Sequence, residues 1–164
     1  MSAVNDVQVR SADWDKTTDC VALQQMLHHY ACDPMGGGKA LPEEVLRELP
    51  GQLANFPGSF SAIAWDGEDA VGLINCFAGF STFRGRPLLN VHDIVVRRDQ
   101  RGRGISRQLL QAAEEEARRR GCCKLTLEVL SGNQRAQEVY KGFGFMSYEL
   151  DPGCGQALFM EKTL

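Results

Sequence analysis

Eight consecutive residues, Arg97-Arg98-Asp99-Gln100-Arg101-Gly102-Arg103-Gly104, combine the features that hold a polyanion. Glycines give a turn backbone angles closed to other residues and let an anion approach the main chain. A helix starting directly afterwards adds N–H groups without intrahelical acceptors and the positive end of its dipole. Together with Arg107, the arginines at 97, 98, 101 and 103 concentrate positive charge suited to a diphosphate and a further phosphate. An Arg-Gly-x-Gly alone is also an ordinary turn with solvated arginines. The chain carries neither Gly-x-x-x-x-Gly-Lys-Ser/Thr nor Gly-x-Gly-x-x-Gly, so the nucleoside-triphosphate and dinucleotide patterns fit less well than a different diphosphate.

A strand must deliver the chain into that turn and a helix must carry it away. Leu88 to Val96 reads as the strand. Ile105 to Arg120 reads as the helix, with Ile105, Leu109, Ala112, Ala113 and Ala117 as its apolar stripe, Glu114, Glu115 and Glu116 each four residues before an arginine, and Gly121 as terminator. Upstream, residues 7 to 12 alternate as a first strand. Cys20, Leu23, Leu27 and Tyr30 mark a helix from Thr17 of about four turns. It ends at Asp33-Pro34-Met35-Gly36-Gly37-Gly38, either a flap or a plain connector. A second helix follows Pro42 on Val45, Leu46, Leu49 and Leu53. Ser59 to Trp65 and Ala70 to Phe80 flank Asp66-Gly67-Glu68-Asp69 as a hairpin. Lys124 to Leu130 reads as a strand and Asn133 to Phe143 as a helix. Phe145 to Tyr148 and Ala157 to Lys162 read as two closing strands around Asp151-Pro152-Gly153-Cys154-Gly155. The order β-α-α-β-β-β-α-β-α-β-β predicts an α/β fold, a mixed sheet of about six to seven strands flanked by about four helices, in a single domain spanning 1–164.

Composition agrees with a globular chain: 43% hydrophobic and 24% charged residues, so disorder is not indicated. A net charge of -3 argues against broad nucleic-acid or anionic-membrane binding, which leaves a basic excess. Six cysteines without paired Cys-x-x-Cys knuckles read as free thiols in a reducing compartment. The amino terminus, Met1-Ser-Ala-Val-Asn-Asp, lacks a basic segment followed by an apolar stretch, and the expected location is cytoplasmic.

Here the chain resembles the GNAT superfamily of N-acetyltransferases, whose Gln/Arg-x-x-Gly-x-Gly/Ala joins a central strand to a helix. The matching segment is Arg101-Gly102-Arg103-Gly104-Ile105-Ser106 after Ile94-Val95-Val96, with Ser106 in place of the last glycine or alanine. A second motif, Asn-x-x-Ala-x-x-x-Tyr-x-x-x-Gly-Phe, is met by Asn133, Ala136, Tyr140, Gly144 and Phe145. The two cover roughly residues 88 to 146; the first 80 residues match by element order alone. The resemblance implies a fold of this type with acetyl-CoA as co-substrate and no metal. The main-chain amides of residues 101 to 106 would hold the pyrophosphate, and the backbone from Ile94 through Val95 to Val96 would pair with the pantetheine arm. It also implies a primary-amine acceptor, a small molecule or peptide, and a homodimer as one assembly.

Acyl transfer from a thioester to an amine needs a neutral amine and a protonated leaving thiolate. An amine of pKa about 10.4 is neutral in about one molecule in two thousand at pH 7, so a base, direct or through water, assists. His92 and Asp93, on the strand leading to the cradle, are the candidates; spermidine/spermine acetyltransferases are similar in placing an acidic residue there. Neighbouring strand residues face opposite ways, so only a bulge would bring both to one side. His92 is either a base or a hydrogen-bonded structural residue, and Asp93 orients it, binds the ammonium or acts through water. Tyr140 is the family's usual general acid, or it packs with Ala136 and Phe143. Asn133 either touches the coenzyme or caps its helix. The acceptor pocket is expected from the first two helices and Phe80-Ser81-Thr82-Phe83-Arg84, with His28, His29 and Asp33 as recognition candidates. A non-catalytic acyl-CoA-binding sensor of the same fold is the alternative, disfavoured by Tyr140 with His92 and Asp93.

Overall fold

The computed structural model describes residues 7–148, 152–155 and 157–164. The amino-terminal hexapeptide and Asp151 lie outside the described residues. The chain falls into two compact units, one ending at Leu127 and one beginning at Glu128.

The first unit is a five-stranded sheet in the order β1 (Gln8–Ser11), β2 (Ser59–Asp66), β3 (Asp69–Ser81), β4 (Arg86–Val96) and β5 (Leu125–Leu127). The first four strands run antiparallel to their neighbours and β4 runs parallel to β5. Helices α1 (Thr17–Cys32) and α2 (Glu43–Asn55) cover one face. Ala22, Leu23, Met26 and Leu27 of α1 and Leu53 of α2 pack with Ile63, Leu73 and Val95 of β2, β3 and β4. Alternate residues face the other way, onto α3 (Ile105–Arg119). A Cβ added at Gly72 would stand 3.0 Å from both Ile105 and Leu109 and 3.3 Å from Ala64, so glycine is what lets α3 lie this close to the sheet. On α3, Arg118 pairs with Glu114 while Arg119 and Arg120 both pair with Glu116. The expected Glu115–Arg119 pair gives way to this fork.

An ion pair ties β1 to α1. Asp19, fully buried, accepts from Arg10 at 2.6 and 2.7 Å and from the Asp13 N–H at 2.9 Å. The hydrogen bonds from Arg10 hold the Asp19 carboxyl below the usual range against the upward push of burial. A depressed carboxyl contributes stability above its unfolded value, about 4, and loses it as pH falls through the folded value. Asp19→Asn is expected to lower the unfolding free energy at pH 7 by about 2–3 kcal/mol, a buried pair discounted for its half-exposed arginine. It should also flatten the loss of stability below about pH 4, read by urea titration across pH.

The second unit contains α4 (Gln134–Phe143) and a short 3-10 turn at Pro152–Cys154. Asn133 caps α4, its side chain accepting from the Ala136 N–H at 3.2 Å, and Gly144 ends it in the left-handed region. Here the expected strand count is reduced. Phe145 to Tyr148 and Ala157 to Lys162 form no strand among the described residues, and Lys124 to Leu130 contracts to Leu125–Leu127. Alternating apolar residues supply propensity, but a strand exists only through ladder hydrogen bonds and packed cross-strand neighbours. Met146, Leu158, Phe159 and Met160 are instead exposed.

Candidate active site

The β3–β4 ladder runs in register from Gly72↔Val96 to Asn75↔Asp93 and resumes at Cys76↔Val91. His92 is the extra residue of a β-bulge, and the bulge reverses the alternation at that point. Asp93 lies on the α1–α2 face, where the Asn75 amide Nδ2 donates to its Oδ2 at 3.1 Å. The His92 ring meets Phe77, a neighbour of the α1–α2 core, edge-on with centroids 5.4 Å apart. Both base candidates therefore stand on one side of the sheet, which an unbroken strand forbids. Asp93 is half-buried and His92 exposed. Above them, the Tyr30 phenol of α1 is pushed up by burial and then by the nearby charges of Asp93 and Asp33, so it remains an O–H donor.

The parallel ladder between β4 and β5 covers only Leu89, Asn90 and Val91 of β4. The stretch from Asp93 to Val96 pairs with β3 on one edge and extends past the β5 ladder on the other. Ile94, Val95 and Val96 lead from there into the turn, where Val96 O accepts from Arg101 Nε at 3.4 Å.

A 3-10 turn at Arg98–Gln100 precedes Arg101-Gly102-Arg103-Gly104. Gly102 and Gly104 have φ of 88° and 76°, a region that glycine alone enters freely. Gly104 opens α3 without a side-chain cap, which leaves the N–H groups of Ile105 and Ser106 without an intrahelical acceptor. The arginines depart from the simple reading of open positive charge. Arg97 pairs with Asp99 at 2.7 Å, Arg98 and Arg101 share Asp33 at 3.3 and 3.2 Å, and Arg103 pairs with Asp66 at 2.8 Å and with Gln100. Nε and Nη2 of Arg103 are buried donors without a partner among the described residues. With these four arginines ion-paired, the turn's capacity for an anion lies in its main-chain amides and the start of α3.

Asp33, expected to read an acceptor's charge, is instead engaged by two cradle arginines and by the Met35 N–H at 3.0 Å. The glycine run after it is a hydrogen-bonded connector: Gly36 N and Gly38 N donate to Asp33 O, and a Cβ at Gly36 would lie 2.0 Å from the Tyr30 carbonyl oxygen. His28 Nε2 lies 3.8 Å from Cys32 Sγ, and His29 Nε2 is buried without a partner among the described residues. The Phe80–Arg84 turn sits at the hairpin tip, five residues beyond Asn75 and so about 17 Å along the strand; Phe83 is 93% exposed. Within the second unit, Tyr140 packs edge-on against Phe145 with centroids 6.0 Å apart. Burial pushes the Cys76 thiol up to about 12, which keeps it inert.

Asn75, Ser61 and Tyr30 are the residues sequence reasoning did not single out as site residues. A lone asparagine inside the apolar run Ala70 to Phe80 was the available signal.

The model of the acetyltransferase (GNAT) family matches residues 23–145. The chain belongs to this family. Among GNAT relatives, bovine (Bos taurus) thialysine N-epsilon-acetyltransferase is 36% identical over 150 residues, covering 84% of this chain and 83% of that protein. L-methionine sulfoximine/L-methionine sulfone acetyltransferase of Pseudomonas paraeruginosa is 34% identical over 124 residues, 68% of this chain and 70% of that one. An aminoglycoside N-acetyltransferase solved in complex with CoA shares the fold, with a TM-score of 0.77 at 17% identity, covering 100% of this chain and 99% of that one. The GNAT chain described here is an acetyl-CoA-dependent N-acetyltransferase. The turn is compatible with a pyrophosphate: two left-handed glycines and an uncapped helix start leave main-chain N–H groups that an anion can complete.

Proposed function

We propose that the chain acetylates a primary amine of a small molecule, by direct attack on the thioester while donor and acceptor are bound together. The bulge at His92 carries this reading, because it puts an imidazole and a carboxylate side by side on the α1–α2 face. Asp93 receives the acceptor's ammonium and takes its proton, directly or through water, with His92 as the adjacent second acceptor. The amine nitrogen bonds to the acetyl carbon, the carbon–sulfur bond breaks, and Tyr140 gives its phenolic proton to the departing thiolate. Transfer from a phenol of pKa about 10 to a thiolate of about 8.5 is uphill by about 2 kcal/mol, and solvent reprotonates the phenolate as coenzyme A leaves.

On the donor side, the amides of residues 101 to 106, from Arg101, Gly102, Arg103 and Gly104 to Ile105 and Ser106, bind the pyrophosphate. Main-chain groups of Ile94, Val95 and Val96 align the pantetheine, and Asn133 adds a contact beside its capping role. The family match crosses the boundary after Leu127, which supports reading both units as parts of one acyltransferase domain. Among the described residues no helix is long and apolar enough to cross a membrane, and we take the protein to work in the cytoplasm.

Relatives named for thialysine and for methionine sulfoximine support a small acceptor. Thialysine, L-methionine sulfone and a lysine-containing peptide, supplied separately with acetyl-CoA and scored by product mass, test this. At least one small amine should exceed the peptide in kcat/KM by about tenfold, the discrimination available from about 1.4 kcal/mol of differential binding. A peptide preferred over both small amines would refute the reading.

A further inference from the structure

Asn75 is 2% exposed and occupies the middle of β3, among strand residues that are otherwise apolar. A buried amide carries donors and acceptors that the interior must satisfy, whereas a leucine, branched in the same way, would need nothing. Its satisfaction here is specific. Ser61 Oγ donates to Asn75 Oδ1 at 2.7 Å, and Asn75 Nδ2 donates to Asp93 Oδ2 at 3.1 Å. Ser61, Asn75 and Asp93 stand directly opposite one another across β2, β3 and β4, and the row ends where His92 is extruded.

We infer that Asn75 is a positioning residue for acetyl transfer, its amide fixed by Ser61 so that it tethers the Asp93 carboxylate beside the bulge. The serine hydroxyl donates to the amide oxygen and thereby turns the NH2 end toward Asp93. Tethering one carboxylate oxygen confines the side chain to one orientation. The inference rests on Asp93 being the acceptor-side carboxylate.

Tyr30 faces Asp93 from α1, with Asp33 behind. Cys76 feels it from β3 and is itself influenced by Arg120 and Glu116 of α3. His92 adjoins it on β4. Burial holds Tyr30 and Cys76 protonated, so neither changes charge on the acidic side of neutrality.

Asn75→Leu keeps the number and branching of the side-chain heavy atoms and deletes the donor. Its kcat/KM for the amine should fall about ten- to a hundredfold, the scale of a hydrogen bond to a charged group. KM for acetyl-CoA should stay at the parent value. Asn75→Asp, which sets a second carboxylate against the first, should lose at least as much. Ser61→Ala should reproduce a smaller part of the loss and Ser61→Thr should recover most of it, a pair that decides the matter if the Asn75 variants do not fold. In an Asp93→Asn background, Asn75→Leu should cost less than about twofold more.

An Asn75→Leu enzyme with the parent kcat/KM overturns the inference, as does a loss shared equally by both substrates. If Asp93→Asn is impaired while Asn75→Leu is not, the tether alone falls. If Asp93→Asn runs at the parent rate, the assignment of Asp93 falls and the tether with it.

Discussion

Asp93→Asn is expected to reduce kcat/KM for the amine at pH 7 by about a hundredfold or more, the usual contribution of a positioned base. Asparagine is isosteric and its oxygen still accepts from Asn75, so the tether at 3.1 Å and the bulge survive while the charge and the proton acceptor are lost. The deficit should shrink as pH rises. Each unit of pH makes about ten times more of an amine of pKa near 10.4 neutral, and a neutral amine needs no base. Rates for the variant should therefore climb about tenfold per unit over a range where the parent has levelled. Acetyl-CoA affinity, measured by its effect on the melting temperature, should match the parent. A variant whose deficit is the same at pH 7 and pH 9.5 would assign Asp93 to holding the acceptor rather than to moving its proton.

Gly104→Val is expected to abolish donor binding within the accessible range, raising the acetyl-CoA dissociation constant at least about thirtyfold. Gly104 has φ of 76° at the start of α3. A β-branched residue enters that region only at roughly 1–3 kcal/mol, and a chain that relaxes out of it re-aims the first amides of the helix. A Cβ there meets no protein atom within 4 Å, so the core does not suffer by collision. Gly85→Ala supplies the control. Gly85 has φ of 58°, is equally open, and stands at the turn between β3 and β4, so it should lose stability without losing acetyl-CoA. Calorimetric titration of both variants with acetyl-CoA separates cradle geometry from general destabilisation. Equal donor affinity in Gly104→Val and the parent would remove the glycine turn from the binding site.

Much of this was legible in the chain because its signals are local. The helix stripe from Ile105, the hairpin at Asp66-Gly67-Glu68-Asp69 and the glycine turn at 102 and 104 each follow from a few neighbouring residues, and the structure forms α3, the β2–β3 turn and the two left-handed glycines there. Long-range relations were less legible. Nothing around Asp33 announces that Arg98 and Arg101, more than sixty residues away, will converge on it. Ion pairing of that kind depends on how α1 and the cradle loop meet, not on local pattern. The bulge is intermediate: residues 92 and 93 show that a bulge is needed for both to face one way, but only the register Asn75↔Asp93, Cys76↔Val91 places it. The carboxy-terminal strands fail for a related reason. Alternation in Ala157 to Lys162 expresses a preference, and pairing decides whether a preference becomes a strand.

The most direct measurement is mass spectrometry of the purified chain incubated with acetyl-CoA and a primary amine, following the amine product and released coenzyme A together. Acetyl transfer predicts an amine carrying one acetyl group, formed one for one with free coenzyme A and, at pH 7, about a hundredfold more slowly by Asp93→Asn. Acetyl-CoA that raises the melting temperature yet yields no acetylated product from any amine tried would contradict it and leave a coenzyme-binding protein without a transferase site.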